Sequence, residues 1–416
     1  MHKTINVKDG FQMVRKIGII PNDWSVIRLD EIANVNSNIL SEKTAEDYKF
    51  KYIDLSSVDN GRITFPEYKT KFGEAPSRAR RLAKKGDVII ATVRPYLHGF
   101  ASLHFEPENM VFSTGFAIIT PNDLSDTDFI YQTLYSTSIA KQLYGYLVGT
   151  NYPAINSEDV EALQIAYPPS PNERRAIGKI LSAWETAIHQ QQSLIAKVSL
   201  LKKSLMQQLL SGKRRLKEFS GQLWNELALA DFLIPISRAI PKPKMPFKSL
   251  GIRSHGKGTF AKPNFNPDSI ALDELYQIKA GDLILNITFA WEGAVALAGE
   301  QDDGSLVSHR FPAFQFRSEI VFPEYFKHVI LQKRFVYDLG VVSPGGAGRN
   351  RVLNKKDFLK IRVSIPCLEE QRRIASILNT CDHKIYLLHS QVDALKMQKK
   401  GLMQKLLTGQ IRVKGD

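Results

Sequence analysis

The sequence has very little cysteine, with only Cys367 and Cys381 among its 416 residues. Two thiols cannot form a disulfide framework, and these two do not fit the usual ligand spacing of a zinc site. We therefore expect both to be small, buried residues in a reducing compartment. No apolar run approaches the roughly 18 residues that a membrane-spanning helix needs, and residues 1–16 contain no apolar signal core. These absences predict a cytoplasmic protein that neither spans a membrane nor is exported.

Motifs of catalysis are also missing. Tyr167-Pro168-Pro169 has the residue types of the Asn/Asp-Pro-Pro-Tyr/Phe motif of amino-methylating enzymes, but in the wrong order. Residues 251–258 fit the G-x-x-x-x-G-K pattern of a phosphate loop. However, Gly258 stands where the metal-binding Ser or Thr should be, and the prolines that follow leave no helix for the phosphate. The nine histidines form no pair at metal-ligand spacing. We therefore expect no catalytic residue, metal or cofactor in this chain.

Positive charge, by contrast, is abundant. The chain has 56 Lys and Arg against 42 Asp and Glu, a net charge of +14. With 43% apolar residues it can bury substantial cores, and its length favours two or more domains. A basic excess is typical of proteins that bind a polyanion, most simply nucleic acid, although it would also attract an acidic protein partner.

The strongest pattern is an internal repeat. Residues 173–216 align without gaps on residues 370–413 at a constant offset of 197, with sixteen identities in 44 positions. Identical residues include Glu173 and Glu370 near the start of the two copies. Ser211-Gly212 and Thr408-Gly409 close the copies, and a glycine at this place is typical of a left-handed helix end.

Each copy has the heptad spacing of a coiled-coil helix, with apolar residues at alternating steps of three and four. The first copy places its seam residues at Ile177, Leu181, Trp184, Ile188, Ile195, Val198, Leu205 and Leu209. The second copy places them at Ile374, Leu378, Cys381, Ile385, Leu388, Val392, Leu395, Leu402 and Leu406. Three seam positions, Gln191, Lys202 and Lys399, are polar, which can fix the register of a pair at a cost in stability. We predict two helices, each about 58 Å long at 1.5 Å per residue, that pair with each other rather than pack separately.

The segments that precede the two helices also resemble each other, although more weakly. Trp24 corresponds to Trp224, and the Gly86-Asp87 turn before an apolar strand corresponds to Gly281-Asp282. Each preceding segment has the pattern of short strands and helices, ending in proline before the long helix. The predicted fold is mixed α+β, with two α/β domains at residues 1–170 and 217–367. They alternate with two long helical segments, residues 171–216 and 368–416, in a pseudo-twofold repeat.

In this layout the sequence resembles the specificity (S) subunit of Type I restriction–modification systems. The matching features are the tryptophan entries, the Gly-Asp strands, the Glu-x-Arg helix starts after proline, and the LLSGK and LLTGQ helix ends. The resemblance implies a non-catalytic subunit that reads a bipartite, asymmetric double-stranded DNA target with two target-recognition domains. It also implies that the helices pair antiparallel and dock two methyltransferase subunits, which restriction subunits join. S-adenosylmethionine and ATP would then be cofactors of those partners.

Clusters of basic and polar residues in loops are the candidate DNA-binding residues, because such groups contact phosphates and base edges. In the first domain they are Arg78, Arg80, Arg81, Lys84, Lys85, Arg94, Tyr96, His98, Thr150, Asn151 and Tyr152. In the second domain they are Lys242, Lys244, Arg253, His255, Lys257, His309, Arg310, Arg349, Asn350 and Arg351. Each cluster could instead be a solvated turn, and an asparagine serves turns as readily as it pairs with adenine.

The charge is distributed unevenly between helices and domains. Residues 173–216 and 370–413 carry +7 and +5, whereas residues 1–172 and 217–369 carry −2 and +4. We therefore assign the helical charge to unspecific attraction of DNA phosphates or to acidic partner surfaces. Sequence reading is assigned to the loops of domains that are close to neutral.

Two other functions fit parts of the pattern. A duplicated coiled-coil scaffold that binds only proteins would explain the helices, but not the arginines beside glycines in both domains. A self-contained methyltransferase or nuclease would need degraded forms of the missing motifs. The prediction is therefore a DNA-recognition subunit, with the scaffold and the enzyme as alternatives.

Overall fold

The computed structural model of the protein describes residues 9–346 and 351–414. It divides into two compact units: unit 1, residues 1–192 and 390–416, and unit 2, residues 193–389. Each unit contains one α/β domain together with parts of both long helices. The boundary between the units falls within both long helical segments of the repeat.

Unit 1 is built on two four-stranded sheets. Its strands are β1 Phe11–Val14, β2 Gly18–Pro21, β3 Ser25–Arg28, β4 Ala33–Val35, β5 Lys49–Ile53, β6 Val58–Asp59, β7 Arg62–Ile63, β8 Thr70–Lys71, β9 Ala79–Arg81, β10 Val88–Ala91, β11 Phe100–Ser102, β12 Met110–Ser113, β13 Phe116–Pro121 and β14 Gln164–Tyr167. Its helices are α1 Thr127–Thr133, α2 Thr137–Tyr146, α3 Ser157–Glu161 and the first part of α4 Pro171–Leu209. The strand orders are β11-β10-β13-β4 and β8-β5-β12-β9.

Unit 2 repeats this plan with one more strand in its second sheet. Its strands are β15 Asn225–Ala228, β16 Leu233–Ile236, β17 Ala239–Pro241, β18 Phe247–Ile252, β19 Thr259–Phe265, β20 Glu274–Gln277, β21 Leu283–Leu285, β22 Val295–Leu297, β23 Leu306–Val307, β24 Ala313–Phe316 and β25 Arg362–Ile365. Its helices are α5 Leu229–Phe232, α6 Pro323–Val329, α7 Lys333–Val341, α8 Lys355–Phe358 and the first part of α9 Leu368–Leu406. The strand orders are β16-β24-β21-β22 and β17-β20-β23-β18-β19.

The apolar strand after each Gly-Asp turn is the centre of its unit. In unit 1, Val88 and Ile90 of β10 face the helices, whereas Ile89 faces the core that includes residues of the second sheet. In unit 2, Leu283 and Ile284 of β21 divide in the same way between two cores. A strand buried on both faces reads as a continuous apolar run, which explains why these segments do not alternate with polar residues.

The two long helices run antiparallel within each unit. In unit 1, Ile177 and Leu181 of α4 share a core with Leu406 of α9. Their counterparts at the offset of 197 share the core of unit 2. Every predicted seam residue is buried or half-buried. Near the helix ends, the heptad residues are therefore part of the domain cores. Gly212 and Gly409 end the helices with positive φ angles of 69° and 65°.

The structure bears on two expectations, the burial of the two cysteines and the absence of a membrane-spanning helix. Cys381 is half-buried, but Cys367 is exposed, so the expectation that both are buried is wrong. Cys367 lies directly before α9, where the chain leaves the sheet for the helix. Among the described residues no helix has both the length and the apolar character to cross a membrane.

Candidate nucleic-acid interface

Two loops that are distant in the sequence meet in unit 1. Loop A1, residues 92–99, follows β10, and loop B1, residues 147–156, follows α2. The backbone N–H of Arg94 donates to the carbonyl of Pro153 at 2.8 Å. Its guanidinium donates to the carbonyl of Asn151 at 2.8 Å and lies 4.5 Å from the ring centroid of Tyr152. Arg94, Asn151 and Tyr152, predicted from separate clusters, therefore form one site.

The backbone of loop A1 is unusual, since Arg94 and His98 both have positive φ angles, 49° and 58°. They flank a short 3₁₀ turn that presents Tyr96. The Tyr96 ring stacks at 6.1 Å from the ring of Tyr144, which is largely exposed, as is Tyr152. Exposed aromatic faces beside a cation are typical of surfaces that bind nucleic acid. Thr150 is exposed on loop B1 and completes this face.

His98, a predicted DNA-binding candidate, packs against other aromatic rings of unit 1. Its ring packs 5.4 Å from the ring of Tyr135 and 5.6 Å from the ring of Phe100, and burial lowers its pKa. At neutral pH it is therefore an uncharged packing residue of loop A1 rather than a cation for phosphate. The sequence did not distinguish it from its neighbours, because burial depends on residues distant along the chain.

Unit 2 builds the corresponding site with the partners exchanged. Loop A2, residues 286–294, follows β21 and contains the 3₁₀ turn Ala290–Glu292. Loop B2, of which residues 342–346 and 351–354 are described, follows α7. Its Leu353 N–H donates to the carbonyl of Ile287, just as the Ile155 N–H donates to the carbonyl of Thr92 in unit 1. The Arg351 guanidinium of loop B2 lies 5.3 Å from the ring of Trp291 in loop A2. In unit 1 loop A supplies the arginine, whereas in unit 2 loop B supplies it.

Arg351 is also tied to the protein backbone. Its guanidinium donates to the carbonyls of Gly340 at 2.5 Å and Ser343 at 3.0 Å, near the end of α7. It therefore caps a helix and anchors loop B2, which limits its capacity to contact DNA. Arg349 and Asn350 lie outside the described residues.

The basic cluster at residues 78–85 contains both exposed and partly buried cations. Arg78, Lys84 and Lys85 are exposed and available for phosphates. Arg80 lies 5.0 Å from the ring of Phe72. Arg81 is half-buried, burial lowers its pKa, and its Nε has no hydrogen-bond partner within the described ranges. The last two arginines are thus partly structural.

The remaining candidates of unit 2 surround one hairpin. Arg253, His255 and Lys257 are exposed on the turn that joins β18 to β19, so residues 251–258 form a hairpin and not a phosphate loop. His309 and Arg310 are exposed just after β23. Lys244 is exposed, whereas Lys242 donates to the carbonyl of Ile270 at 3.2 Å.

The Gly-Asp motif has a structural role in both units. Asp87 is buried and accepts from the Lys84 N–H at 2.8 Å and the Thr120 hydroxyl at 2.8 Å. Asp282 accepts from the Lys279 N–H at 2.8 Å and from Arg238 at 2.5 Å. The carboxylate thus stabilises the turn before the central strand, and this strand leads into loop A.

The Glu-x-Arg helix starts form ion pairs that the sequence analysis missed. In unit 2, Arg215 binds Glu370 at 2.7 Å, and the Trp224 indole donates to the same carboxylate at 3.3 Å. In unit 1, Arg412 binds Glu173 at 2.6 Å. These carboxylates raise the pKa of both arginines. The offset of 197 relates the two pairs, so the alignment already contained the signal.

A second pair of ion pairs occupies the polar seam positions. Lys202 binds Asp382 at 2.5 Å in unit 2, and Lys399 binds Glu185 at 2.9 Å in unit 1. The offset of 197 relates these pairs as well. In each pair the lysine is on one long helix and the carboxylate is on the other. Such a pair fixes the antiparallel register, because sliding either helix would separate the charges. Part of the positive charge of the helices is thus neutralised inside the protein.

The arrangement offers groups that suit binding. Within residues 9–346 and 351–414, no group of three His, Cys, Asp or Glu side chains could hold a metal ion. The polar side chains of loops A1 and B1 include an arginine, two tyrosines, a threonine and an asparagine amide. These groups bind phosphates and base edges.

Comparison with known proteins identifies the family. The family model described as "Type I restriction modification DNA specificity domain" matches twice, at residues 21–198 and 224–397. The chain therefore belongs to the family of Type I restriction–modification DNA specificity domains and contains two copies. The predicted recognition as an S subunit, and its class as a DNA-recognition subunit rather than an enzyme, are confirmed.

The similar proteins extend over almost the whole chain. A putative type I restriction enzyme specificity subunit, MjaX of Methanocaldococcus jannaschii, is 25% identical over 96% of each chain. A solved Type I S subunit from M. genitalium is 15% identical, with a TM-score of 0.57 over 95% of this chain and 97% of that one. A chain from a structure on assembly of the type I R-M system is 23% identical, with a TM-score of 0.56 over 94% of this chain and 99% of that one. These structures share the fold, which confirms the predicted mixed α/β architecture with two long helices.

Proposed function

We propose that the two units read the two halves of an asymmetric DNA target through loops A and B. One observation carries this proposal: loops A and B meet at the same place in both units, but the arginine and the aromatic ring are exchanged. Equal placement gives each unit an equivalent approach to DNA. Different chemistry gives each unit a different preference among base edges.

In unit 1 the proposed readers are Arg94, Asn151 and Tyr152, with Tyr96 and Thr150 beside them. Arg94 is held by a carbonyl and an aromatic ring, so little side-chain freedom is lost when it binds. Such preorganisation favours one contact geometry. The exposed lysines and arginines nearby would bind phosphates and set the register of the domain on the duplex.

We further propose that the long helices dock two methyltransferase subunits, and that restriction subunits join this assembly. S-adenosylmethionine and ATP would be bound by those partners and not by this chain. The assembly would act in the cytoplasm. Helical lysines that no carboxylate neutralises would attract phosphates between the half-sites or acidic partner surfaces.

The test is to express the chain with its genomic neighbours and map adenine methylation across a genome. We expect one bipartite motif, in which Arg94→Ala relaxes one half only and weakens binding of the assembled complex roughly 5- to 150-fold, as for loss of 1–3 kcal/mol. Arg28→Ala is the matched control, because Arg28 is an exposed arginine of unit 1 that pairs with Asp30 and belongs to neither loop. Methylation by the chain alone would support the enzyme alternative, and a motif indifferent to Arg94 would refute the assigned reader.

A further inference from the structure

Unit 2 contains a cleft between the β18–β19 hairpin and loop A2. It has a volume of about 480 Å³, within the range of small-molecule sites. The β18–β19 hairpin forms one wall, and loop A2 with the residues after β23 forms the other. Its lining is rich in phenyl rings, including Phe247, Phe260, Phe265, Phe289 and Phe311.

The hairpin wall is flat because of one glycine. A Cβ atom at Gly251 would lie 2.4 Å from the ring of Phe260, so this ring lies against the bare backbone of the neighbouring strand. The rings of Phe247 and Phe265 are 5.5 Å apart on the same hairpin. Aromatic faces of this kind stack on planar rings, and each stacked base contributes about 1–3 kcal/mol.

Polar groups of loop A2 give the cleft a hydrogen-bonding edge. The Asn286 Oδ1 accepts from the Thr288 N–H at 3.0 Å, so Nδ2 is the end of the amide that remains to donate. The Glu292 Oε2 accepts from the Ser254 hydroxyl at 2.7 Å, which leaves Oε1 as an acceptor. A donor and an acceptor that line the same cleft suit a base with a ring nitrogen next to an exocyclic amino group, as in adenine and cytosine.

The rim of the cleft is positively charged. Lys262 lies 5.7 Å from the ring centroid of Phe260, and Arg253 lies 5.4 Å from the same centroid. His255 and Lys257 are exposed on the adjoining hairpin turn. Cations around a pocket of aromatic rings suit a base that is still attached to its phosphate.

Unit 1 lacks this lining at the corresponding place. There β5 pairs parallel with β12, as β18 pairs parallel with β23 in unit 2. The cleft beside β5 is lined by Tyr52, Asp54 and Arg78, with serines and proline in place of the phenyl rings. Among the described residues, the cleft beside β5 therefore does not repeat the phenyl lining of the unit 2 cleft.

We propose that this cleft of unit 2 binds one unstacked nucleobase that carries an exocyclic amino group, together with its phosphate. The inference rests on the proposed function, since it takes DNA as the ligand. A base inside a stacked duplex does not expose its faces, so the occupant is a base of single-stranded or locally opened DNA. Phe289 and the hairpin rings would stack on it, Asn286 and Glu292 would read its edge, and Lys262 would bind its phosphate.

The test uses the full chain and short single-stranded oligonucleotides that differ at one base. We expect oligonucleotides with one adenine or cytosine in a thymine background to bind more tightly than oligothymidine. Phe289→Ala should weaken this binding 5- to 150-fold, and Asn286→Ala should remove the preference between bases. Lys262→Ala should weaken all oligonucleotides alike and reduce the salt dependence, because Lys262 would bind phosphate and not base.

Phe65→Ala in unit 1 is the matched control, because Phe65 and Phe289 are both 42% exposed. Equal weakening by Phe65→Ala and Phe289→Ala, or unchanged binding of Phe289→Ala with its fold intact by circular dichroism, would overturn the proposal. The methylation map distinguishes failure of the cleft proposal from failure of the proposed reading function. A complex that still methylates a bipartite motif while the chain ignores unstacked bases has lost only the cleft and not the reading function.

Discussion

Units 1 and 2 share a backbone plan but have different side chains at several equivalent places. Loop A supplies an arginine in unit 1 and a tryptophan in unit 2 at the contact with loop B. The cleft beside β5 in unit 1 is lined by serines with Asp54 and Arg78, whereas the cleft of unit 2 is lined by phenyl rings. By contrast, the ion pairs at the helix ends and in the seam occupy equivalent positions in both units. The scaffold was thus kept after duplication, whereas the surfaces near loops A and B diverged.

The largest expected difference between the units lies in the ion pairs at the helix starts. The Glu370 side chain is 1% exposed and that of Arg215 is 19% exposed, whereas Arg412 is 45% exposed and also binds Asp23. Arg215→Ala leaves a buried carboxylate without a cation, which should lower the free energy of unfolding by roughly 3–5 kcal/mol. Arg412→Ala should cost less, because the Arg412 guanidinium is the more exposed of the two and water screens its attraction to the Glu173 carboxylate more strongly.

Urea unfolding of the full chain measures this difference, with Arg214→Ala as the control for loss of an exposed cation. If both arginine variants shift the unfolding midpoint equally, burial does not distinguish the two pairs, and the comparison fails at this point.

A pH-dependent difference is expected from a buried histidine. His328 of α6 is fully buried, with its Nε2 2.7 Å from the Asn379 Oδ1, and burial lowers its pKa to about 4. Lys202, Lys327 and Asp382 are the charged groups that act on it. At the same place in α1, unit 1 has Gln132, which does not titrate.

In the unfolded chain this histidine titrates near pH 6.5, so between pH 7 and pH 5 only the unfolded state gains its proton. The free energy of unfolding should therefore fall by about 2 kcal/mol over this interval because of His328. His328→Gln copies unit 1 and should abolish that part of the pH dependence in urea titrations at the two pH values. An unchanged slope in the variant would show that the histidine does not stay neutral in the fold.

The smallest difference is expected in the seam. Glu185 accepts from Gln132 at 2.8 Å, from Lys399 at 2.9 Å and from the Tyr131 hydroxyl, and its side chain is 14% exposed. Asp382 binds Lys202 but is 42% exposed. Glu185→Gln should cost about 2 kcal/mol, whereas Asp382→Asn should cost less than about 1 kcal/mol.

Added salt tests the reason for this difference. The effect of Asp382→Asn should vanish in high salt, because exposed charges are screened, and that of Glu185→Gln should persist. If both respond to salt alike, the register contacts of the two units are equally exposed in solution.

Much of the scaffold could be predicted from the sequence, because repetition and periodicity are local signals. The offset of 197 located the long helices, and the three-and-four spacing identified the side chains that are buried. The Gly-Asp strands and the glycine helix ends were likewise found where their residues predict them.

The candidate site was only partly predictable. Arg94 and Tyr152 were recognised as single candidates, but their contact depends on strand pairing between segments 57 or more residues apart. His98, Arg80 and Arg351 had the right chemistry, yet packing and capping engage their side chains. Phe289 carried no signal at all, since an isolated phenylalanine is usually part of a core.

The sequence by itself determined the duplicated architecture, the heptad seam and the location of most of the charge. These properties depend on the order of residues, and order is what a sequence contains. Only the tertiary structure decided which helical charges are neutralised and which loops meet. It also decided where aromatic rings stay open to a ligand, because burial and pairing bring together residues that the chain keeps far apart.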